Sequence, residues 1–412
     1  VVRAARSGYE RRVKPLLVYV HFPWCLEKCP YCDFVSYKTT REAIDHEAYA
    51  DAVVRELAAR APSLDGHAVH SVFLGGGTPS LWSPRSIARV LAAIRASFPC
   101  EADLEISAEC NPSSLDRARA RDLVSAGVNR LSIGVQSLDR DQLKYLGRLH
   151  DEDGALRAVE AGVAEAGRVS ADLIFGLPRQ APEAAAADAL RLVELGLSHL
   201  SAYALTIEPG TRFGELARRN RLPMATEDAQ ADAFLAIEAA LGARGFSHYE
   251  VSNYARPGQE ARHNLGYWRG ASYLGLGVAA YGALPAPHGA LPAPHGAIRY
   301  RNATDPERYV EGTRAMVPGP PSLDDRVTVS VEALDAETLL RERIMLGLRL
   351  AEGFDLDDAA RELGLDATEV FRTRAQAMRR LEREGSLTVD GTRVRIPPSR
   401  RLATDGVAAR LF

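Results

Sequence analysis

The feature that most constrains the fold is a rhythm in the first half of the chain, where short apolar, β-branched runs alternate with amphipathic helical patterns. Strand candidates are Leu16–His21, Val69–Leu74, Leu104–Ser107, Leu131–Val135, Val169–Phe175 and Leu200–Leu205. Between them fall helix patterns at Glu42–Arg60, Pro84–Ser97, Ser114–Ala126 and Pro182–Leu195. Ser83 before Pro84 reads as an N-cap with proline at the first helical position, and Gly127 stops the following helix. Strands separated by helix-length crossovers pair in parallel, because a parallel return needs a dozen or more residues. Six such units are fewer than the eight that close a full barrel. The expected fold class is therefore α/β, an open partial (β/α)6 barrel of the TIM type.

Past residue 225 the rhythm changes. An alanine-rich helix pattern, Glu227–Arg244, leads to Tyr249-Glu-Val-Ser-Asn-Tyr254 and then to a glycine- and aromatic-rich stretch, His263–Tyr281. A seven-residue unit, Gly282-Ala-Leu-Pro-Ala-Pro-His288, is then repeated letter for letter from Gly289 to His295. Its two histidines suggest a metal tract at first sight, but its proline and glycine content reads as a surface-loop insertion. Met316–Leu323 is proline-rich and reads as a linker. Helix patterns near 336–350, 355–363 and 367–383 follow, with a hairpin at Asp390-Gly391. These outline a small helical, winged-helix-like C-terminal domain. The expected division is an N-terminal extension over 1–15, a barrel over 16–225, an extension with loop insertion and linker over 226–323, and an accessory domain over 324–412. Arg372, Arg374, Arg379, Arg380 and Arg383 would line one face of the last helix. The acids interleaved with them favour a solvated face over a phosphate-contacting one.

Composition narrows the function classes. A hydrophobic fraction of 46% and a charged fraction of 25% are those of an ordinary globular protein. The 51 basic and 54 acidic residues leave a net charge of −3, which argues against a nucleic-acid or anionic-membrane coat. No apolar run reaches the length of a membrane-crossing helix, and the arginines of Val1–Lys14 precede no apolar stretch of the secretory type. Five cysteines in 412 residues do not make a disulfide scaffold.

Three of the five fall within eight residues, in Trp24-Cys25-Leu-Glu-Lys-Cys29-Pro-Tyr31-Cys32, directly after the first strand candidate. In a barrel of this kind the C-terminal strand ends open onto the active face. Thiolates suit zinc and iron–sulfur centres alike, but structural zinc needs four closed ligands. Cys100 and Cys110 sit about two barrel units away, and His21 is expected to point away from the loop. Three thiolates on a cubane leave one iron without a protein ligand, open to chelation by a small molecule.

Cys-x3-Cys-x2-Cys with an aromatic before the last cysteine resembles the signature of radical S-adenosylmethionine proteins, in which a 4Fe–4S cluster binds S-adenosylmethionine at the open iron. The resemblance implies that Cys25, Cys29 and Cys32 hold the cluster. Gly75-Gly76-Gly77-Thr78-Pro79 ends the second strand; by itself a turn, it resembles the family's glycine-rich segment on which the methionine amino group rests, where glycine lets backbone approach closely. Glu109 ends the third strand, Gln136 the fourth, Arg148 follows the next helix and Asp172 lies on the fifth. The likeness, to the coproporphyrinogen-dehydrogenase branch, implies a cofactor shell of Tyr19, Tyr31, Gly76, Gly77, Thr78, Glu109, Gln136, Arg148 and Asp172. Cys110 reads as a small buried hydrophobe.

Two related groups share these motifs. One is the oxygen-independent coproporphyrinogen III dehydrogenases, which decarboxylate propionates in porphyrin synthesis; the other is the haem chaperones, which bind haem and pass it to client haemoproteins. The dehydrogenases carry a fourth cysteine where this chain has Phe34, and a longer N-terminal arm. The chaperones carry His-Asn-x-x-Tyr-Trp, which stands here as His263-Asn-Leu-Gly-Tyr267-Trp268. The likeness spans residues 16 to about 400 and favours the chaperones. It implies a cytoplasmic protein whose cofactors are a 4Fe–4S cluster, S-adenosylmethionine and haem. His263 would be the axial imidazole, and Tyr267 with Trp268 an aromatic wall. It further implies client haemoproteins, an electron donor when the cluster is reduced, and peripheral membrane contact through clients. Nucleic acid is not an expected partner.

Overall fold

The computed structural model describes residues 14–286 and 296–412. His288 and His295 of the duplicated heptads lie outside the described residues. All six predicted strands form: β1 (Lys14–Phe22), β2 (His67–Gly76), β3 (Cys100–Cys110), β4 (Arg130–Gln136), β5 (Arg168–Phe175) and β6 (His199–Ala204) are consecutive parallel neighbours. The helices α1 (His46–Arg60), α2 (Pro84–Ser97), α3 (Arg117–Ser125), α4 (Arg140–Tyr145), α5 (Glu152–Glu165) and α6 (Pro182–Glu194) lie between them. Beyond β6 come α7 (Arg212–Arg218) and α8 (Glu227–Gly242). Pro84 opens α2 as expected, but Ser83 makes no side-chain cap bond. The next helix starts at Arg117, because the Asp116 carboxylate caps the Arg119 N–H while Ser114 closes a 3-10 turn.

Period-two alternation gives each strand two faces. Leu16, Val18, Val20, Val72, Leu74, Ile106, Ala108, Leu131 and Ile133 are fully buried in one core with residues of α1, α2, α3 and α5. The alternate residues, among them Tyr19, Phe73, Glu109, Arg130, Ser132 and Asp172, face the other way and line a concave, polar hollow. Tyr19, Phe73, Glu109 and Asp172 remain partly exposed although each sits on a central strand. Solvent therefore enters this hollow.

The sheet continues beyond the predicted unit. After β7 (Ser247–Glu250), β8 (Asn253–Ala255) and α9 (Arg262–Trp268) come β9 (Ser272–Gly277), β10 (Tyr281–Pro285), β11 (Ala297–Asn302), α10 (Pro306–Thr313) and β12 (Thr328–Leu334). The twelve strands run β12-β11-β10-β9-β1-β2-β3-β4-β5-β6-β8-β7. β9 is parallel to β1, and the outer strands are antiparallel. No pairing joins β12 to β7 among the described residues, so the barrel stays open. β9 escapes sequence reading because Ser-Tyr-Leu-Gly-Leu-Gly looks like a loop. The glycine has a packing cause: a Cβ on Gly275 would stand 1.9 Å from the Tyr281 carbonyl oxygen.

A buried charge cluster ties the added strands to the barrel. Glu56 and Arg60 of α1 are 0% and 1% exposed. Glu56 accepts from Asn302 Nδ2 at 2.7 Å, Tyr309 Oη at 2.7 Å and the Gly277 N–H at 2.9 Å. Arg60 donates to Asp325 and Thr328, each at 2.7 Å.

The C-terminal part has its own core, in which Leu340, Ile344, Leu381 and Val394 pack together. It comprises α11 (Ala336–Gly347), α12 (Leu356–Glu362), α13 (Ala367–Arg383) and a three-stranded sheet of Phe354–Asp355, Thr388–Asp390 and Arg393–Arg395. Gly391 turns the predicted hairpin at φ 61°. The α13 arginines do not form one cationic face. Arg374 turns inward to Glu337 and the Leu411 carbonyl, Arg372 pairs with Glu369, and Arg380 with Glu384.

Candidate functional site

The cysteine loop sits at the C-terminal mouth of β1. Trp24–Cys25 pairs with Tyr37–Lys38, which closes the loop at its base. Within it the Cys32 N–H donates to the Cys29 carbonyl at 3.2 Å. His21 does not point away, as its position suggested. Its Nε2 bonds the Val35 carbonyl at 2.8 Å and its Nδ1 meets Tyr19 Oη at 3.0 Å, so the ring braces the loop from beneath. The three thiols are half-buried. Burial pushes the Cys25 thiol up, and pushes Cys32 up to about 11. Among the described residues, the only group of three or more His, Cys, Asp and Glu ligand atoms gathered within 4.8 Å is Asp355, Asp357 and Asp358. The thiols are therefore spread wider than a set closed round one ion. That acidic trio is exposed or half-buried, and Asp355 caps the Asp357 and Asp358 N–H groups.

Two residues of the expected shell, Thr78 and Arg148, reach the cysteines directly. Thr78 Oγ1 donates to Cys25 Sγ at 3.3 Å, and Arg148 Nη1 to Cys29 Sγ at 3.2 Å. Arg148 Nη2 also donates to the Gly134 carbonyl at 2.8 Å, which fixes the guanidinium across the mouth. The Gly77 N–H is held by the Phe22 carbonyl at 2.7 Å, and a Cβ there would lie 2.6 Å from the Trp24 carbonyl oxygen. At Gly76 the backbone has φ +107° and a Cβ would strike the His21 ring at 2.5 Å. Its N–H donates to Glu109 Oε2 at 3.0 Å. Burial, then the Asp172 charge, pushes the Glu109 carboxyl up to about 8. Gln136 sits at φ 71°, a left-handed conformation that L side chains rarely adopt, where the β4–β5 ladder shifts register. Asp172 accepts from Ser132 Oγ at 3.3 Å. Tyr31 packs against Phe213 of α7. An open cleft of about 680 Å³ beside the loop is lined by Cys29, Cys32, Lys144 and Arg212 among others.

The His-Asn-x-x-Tyr-Trp segment is the helix α9, which the sequence did not suggest. It lies against the concave face, where Gly266 is placed so close to Leu17 that a Cβ would meet its side chain at 2.6 Å. His263 is 1% exposed. Ser71 Oγ and His263 Nδ1 are 2.8 Å apart, and the imidazole stacks on Phe73 at 5.2 Å. Its Nε2 has no partner. Tyr267, one turn on, meets the imidazole edge-to-face at 4.9 Å. Trp268 was expected beside them, but adjacent helical residues point about 100° apart. It stacks under Arg349, 5.4 Å from the ring centre. His150 bonds the Val135 carbonyl, and His199 meets Tyr249 Oη at 2.8 Å.

Three cysteines on a strand-end loop, over a glycine cradle at the mouth of an open parallel barrel, define a radical S-adenosylmethionine protein. Residues 19–191 match the Radical SAM superfamily and 334–402 the HemN C-terminal domain. The chain is 42% identical over 272 residues to the heme chaperone HemW of Escherichia coli (strain K12), spanning 66% of this chain and 71% of that one. It is 35% identical over 404 residues to the heme chaperone HemW of Mycobacterium tuberculosis, spanning 97% and 95%. The chain belongs to the HemW family. A solved structure described as "Coproporphyrinogen III oxidase (HemN) from Escherichia coli is a Radical SAM enzyme" shares the fold, with a TM-score of 0.77 at 22% identity, over 97% of this chain and 90% of that one. No helix of the described residues is long and apolar enough to cross a membrane.

Sequence reasoning missed Ser71, Glu105, Arg130 and His199, which line the floor of the hollow beneath the cofactor shell. The signal was present as alternation: Arg130-Leu-Ser132 and Arg168-Val-Ser170-Ala-Asp172 set a polar residue at every second strand position.

Proposed function

We propose that the protein is a haem chaperone, holding haem in the hollow of a radical S-adenosylmethionine scaffold and passing it to client haemoproteins in the cytoplasm. The observation that carries this reading is the state of His263. An imidazole held through Nδ1 by Ser71, with Nε2 unpartnered but sealed inside the fold, would offer that nitrogen to a metal once α9 shifts, one nitrogen orienting the ring and the other free of a protein partner. Tyr267 supplies an aromatic neighbour on the same helix face. The HemW relatives support the same cargo.

Cys25, Cys29 and Cys32 are the ligands of a 4Fe–4S cluster, and the Gly75–Gly77 cradle with Tyr19, Tyr31, Thr78, Glu109, Gln136, Arg148 and Asp172 is the seat of S-adenosylmethionine. Glycine is needed at all three positions because the neighbouring protein packs so tightly that a Cβ would clash at 2.9 Å or less. When bound, the cluster supplies one-electron chemistry at an iron without a protein ligand. Thr78 places a donor on Cys25 Sγ, which works against the upward push of burial on that thiol, and Arg148 donates to Cys29 Sγ. Glu109, largely protonated at neutral pH, is poised to give up its proton to solvent when a cationic ligand group arrives.

The test is the visible spectrum of anaerobically reconstituted protein with and without haem. A Soret band that titrates to one haem per chain and shifts in His263→Ala is expected. An identical spectrum and affinity in that variant would remove His263 as the axial ligand. Adding S-adenosylmethionine to the reduced protein should perturb the cluster's EPR signal; an unchanged signal at saturation would mean that the iron is not open.

A further inference from the structure

The floor of the hollow holds a cation that no carboxylate of the described residues contacts as an ion pair. Arg130 lies between Ser107 of β3 and Arg168 of β5 in strand register. The acids nearby are already engaged. Glu105 takes Arg168 Nη1 at 2.6 Å and the N–H groups of Arg262 and His263 at 3.2 and 3.1 Å. Asp172 accepts from Ser132, whose oxygen in turn accepts from Ser170. Arg130 is 3% exposed, and among the described residues its guanidinium has no hydrogen-bond or ion-pair partner.

It is not isolated from the site. Burial drives the imidazoles of His199 and His263 towards their neutral forms, and the Arg130 charge adds to both effects. The same charge opposes the upward push of burial on the Asp172 carboxyl. Ser107 Oγ, His199 Nδ1 and His263 Nε2 are also without partners, on residues 0%, 2% and 1% exposed. A guanidinium largely withdrawn from water without a hydrogen-bonded partner is costly, and a fold keeps one where a ligand brings a closer counter-charge. A guanidinium fork matches a carboxylate through two parallel bonds. A phosphate would call for more donors, and the first N–H groups of α9 are already committed to Glu105.

We propose that Arg130 is the anchor for a carboxylate of the cargo, with Ser107 and the free imidazole nitrogens around it. This rests on the haem reading, in which the carboxylate is a porphyrin propionate and the iron lies at His263.

The test uses the full chain, reconstituted anaerobically, as wild type, Arg130→Met and Arg130→Lys, with haem and haem dimethyl ester as probes. Without porphyrin, Arg130→Met should melt a few degrees higher, because an unpaired buried charge has been removed. A lower melting temperature would make Arg130 a structural residue and overturn the proposal. Haem should bind roughly tenfold or more weakly to Arg130→Met, with Arg130→Lys between it and wild type. The dimethyl ester should bind wild type and Arg130→Met alike. Equal affinity of wild type for haem and its ester, with no effect of the substitution, would refute the carboxylate anchor and leave the chaperone reading standing. Failure of wild type to bind either porphyrin would refute the haem reading, and this proposal with it.

Discussion

Replacing His263 by glutamine separates the packing of α9 from its titration. Glutamine keeps a polar group near Ser71 but loses the stack on Phe73 at 5.2 Å and the edge-to-face contact with Tyr267 at 4.9 Å. Aromatic contacts of this kind contribute about 0.5–1.5 kcal/mol each, so the haem-free variant should be less stable at pH 7 by roughly 2 kcal/mol. Acid should erase that difference. Burial lowers the His263 imidazole from 6.5 to about 3. Its folded-state value is depressed, so its contribution is fully present above pH 6.5 and is lost as the pH falls towards 3. Within that window the unfolded chain binds one proton more at this position, and wild type loses about 1.4 kcal/mol per pH unit that the variant does not. The two stability curves should therefore converge near pH 5. Urea unfolding of both proteins at pH 7, 6 and 5, with m-values compared, measures this directly. A stability difference that does not change with pH would refute the argument, because it would mean that the imidazole is solvated or already charged.

Replacing Cys25, Cys29 or Cys32 by alanine should abolish the iron and sulfide content, about four of each per chain in wild type, whereas Cys100→Ser and Cys110→Ser should keep it; anaerobic metal analysis decides, and equal loss from Cys110→Ser would change the ligand set. Gly77→Ala drives a Cβ to 2.6 Å from the Trp24 carbonyl oxygen and should weaken S-adenosylmethionine binding by at least about tenfold, read by calorimetry. Conversion of coproporphyrinogen III under anaerobic reducing conditions should be negligible, because Phe34, 55% exposed, stands where the decarboxylating branch carries a cysteine; a robust cofactor-dependent yield would reverse the assignment. Trp268→Ala should lower stability through the lost Arg349 contact while leaving the Soret band in place, and a shifted band would put this ring back beside the haem.

What the sequence revealed and what it concealed divide along a physical line. The six parallel strands were legible because each buries one face under helices and so carries apolar residues at alternate positions. The cysteine loop and the glycine cradle were legible because their chemistry depends on local spacing. The added strands were not, since β9 owes its pairing to glycines that admit the Tyr281 backbone, and glycine carries no periodic signal. The α9 helix was hidden for a related reason. Seven residues are too few to declare a period, and the helix is held by tertiary contacts: Glu105 at its N-terminus, Leu17 under Gly266 and Phe73 against His263.

That difference bears on how the two halves of the site relate. The cluster loop and its shell are set by the strand ends of the barrel. His263 and Tyr267, the residues proposed to meet haem, arrive from a later segment laid across the same concave face. His21, Tyr19, Phe73 and His263 then form one continuous chain of contacts from beneath the cysteine loop to α9: Tyr19 bonds His21 at 3.0 Å, Phe73 lies 6.3 Å from Tyr19, and His263 stacks on Phe73. A displacement of α9 large enough to expose His263 Nε2 would therefore disturb the stack on Phe73 and, through it, Tyr19. If both ends are occupied as proposed, occupancy of one would be coupled through this packing to the geometry of the other. A scaffold with its cofactor in place would hold Tyr19 and Phe73 still, and would present the hollow to its cargo in a single arrangement.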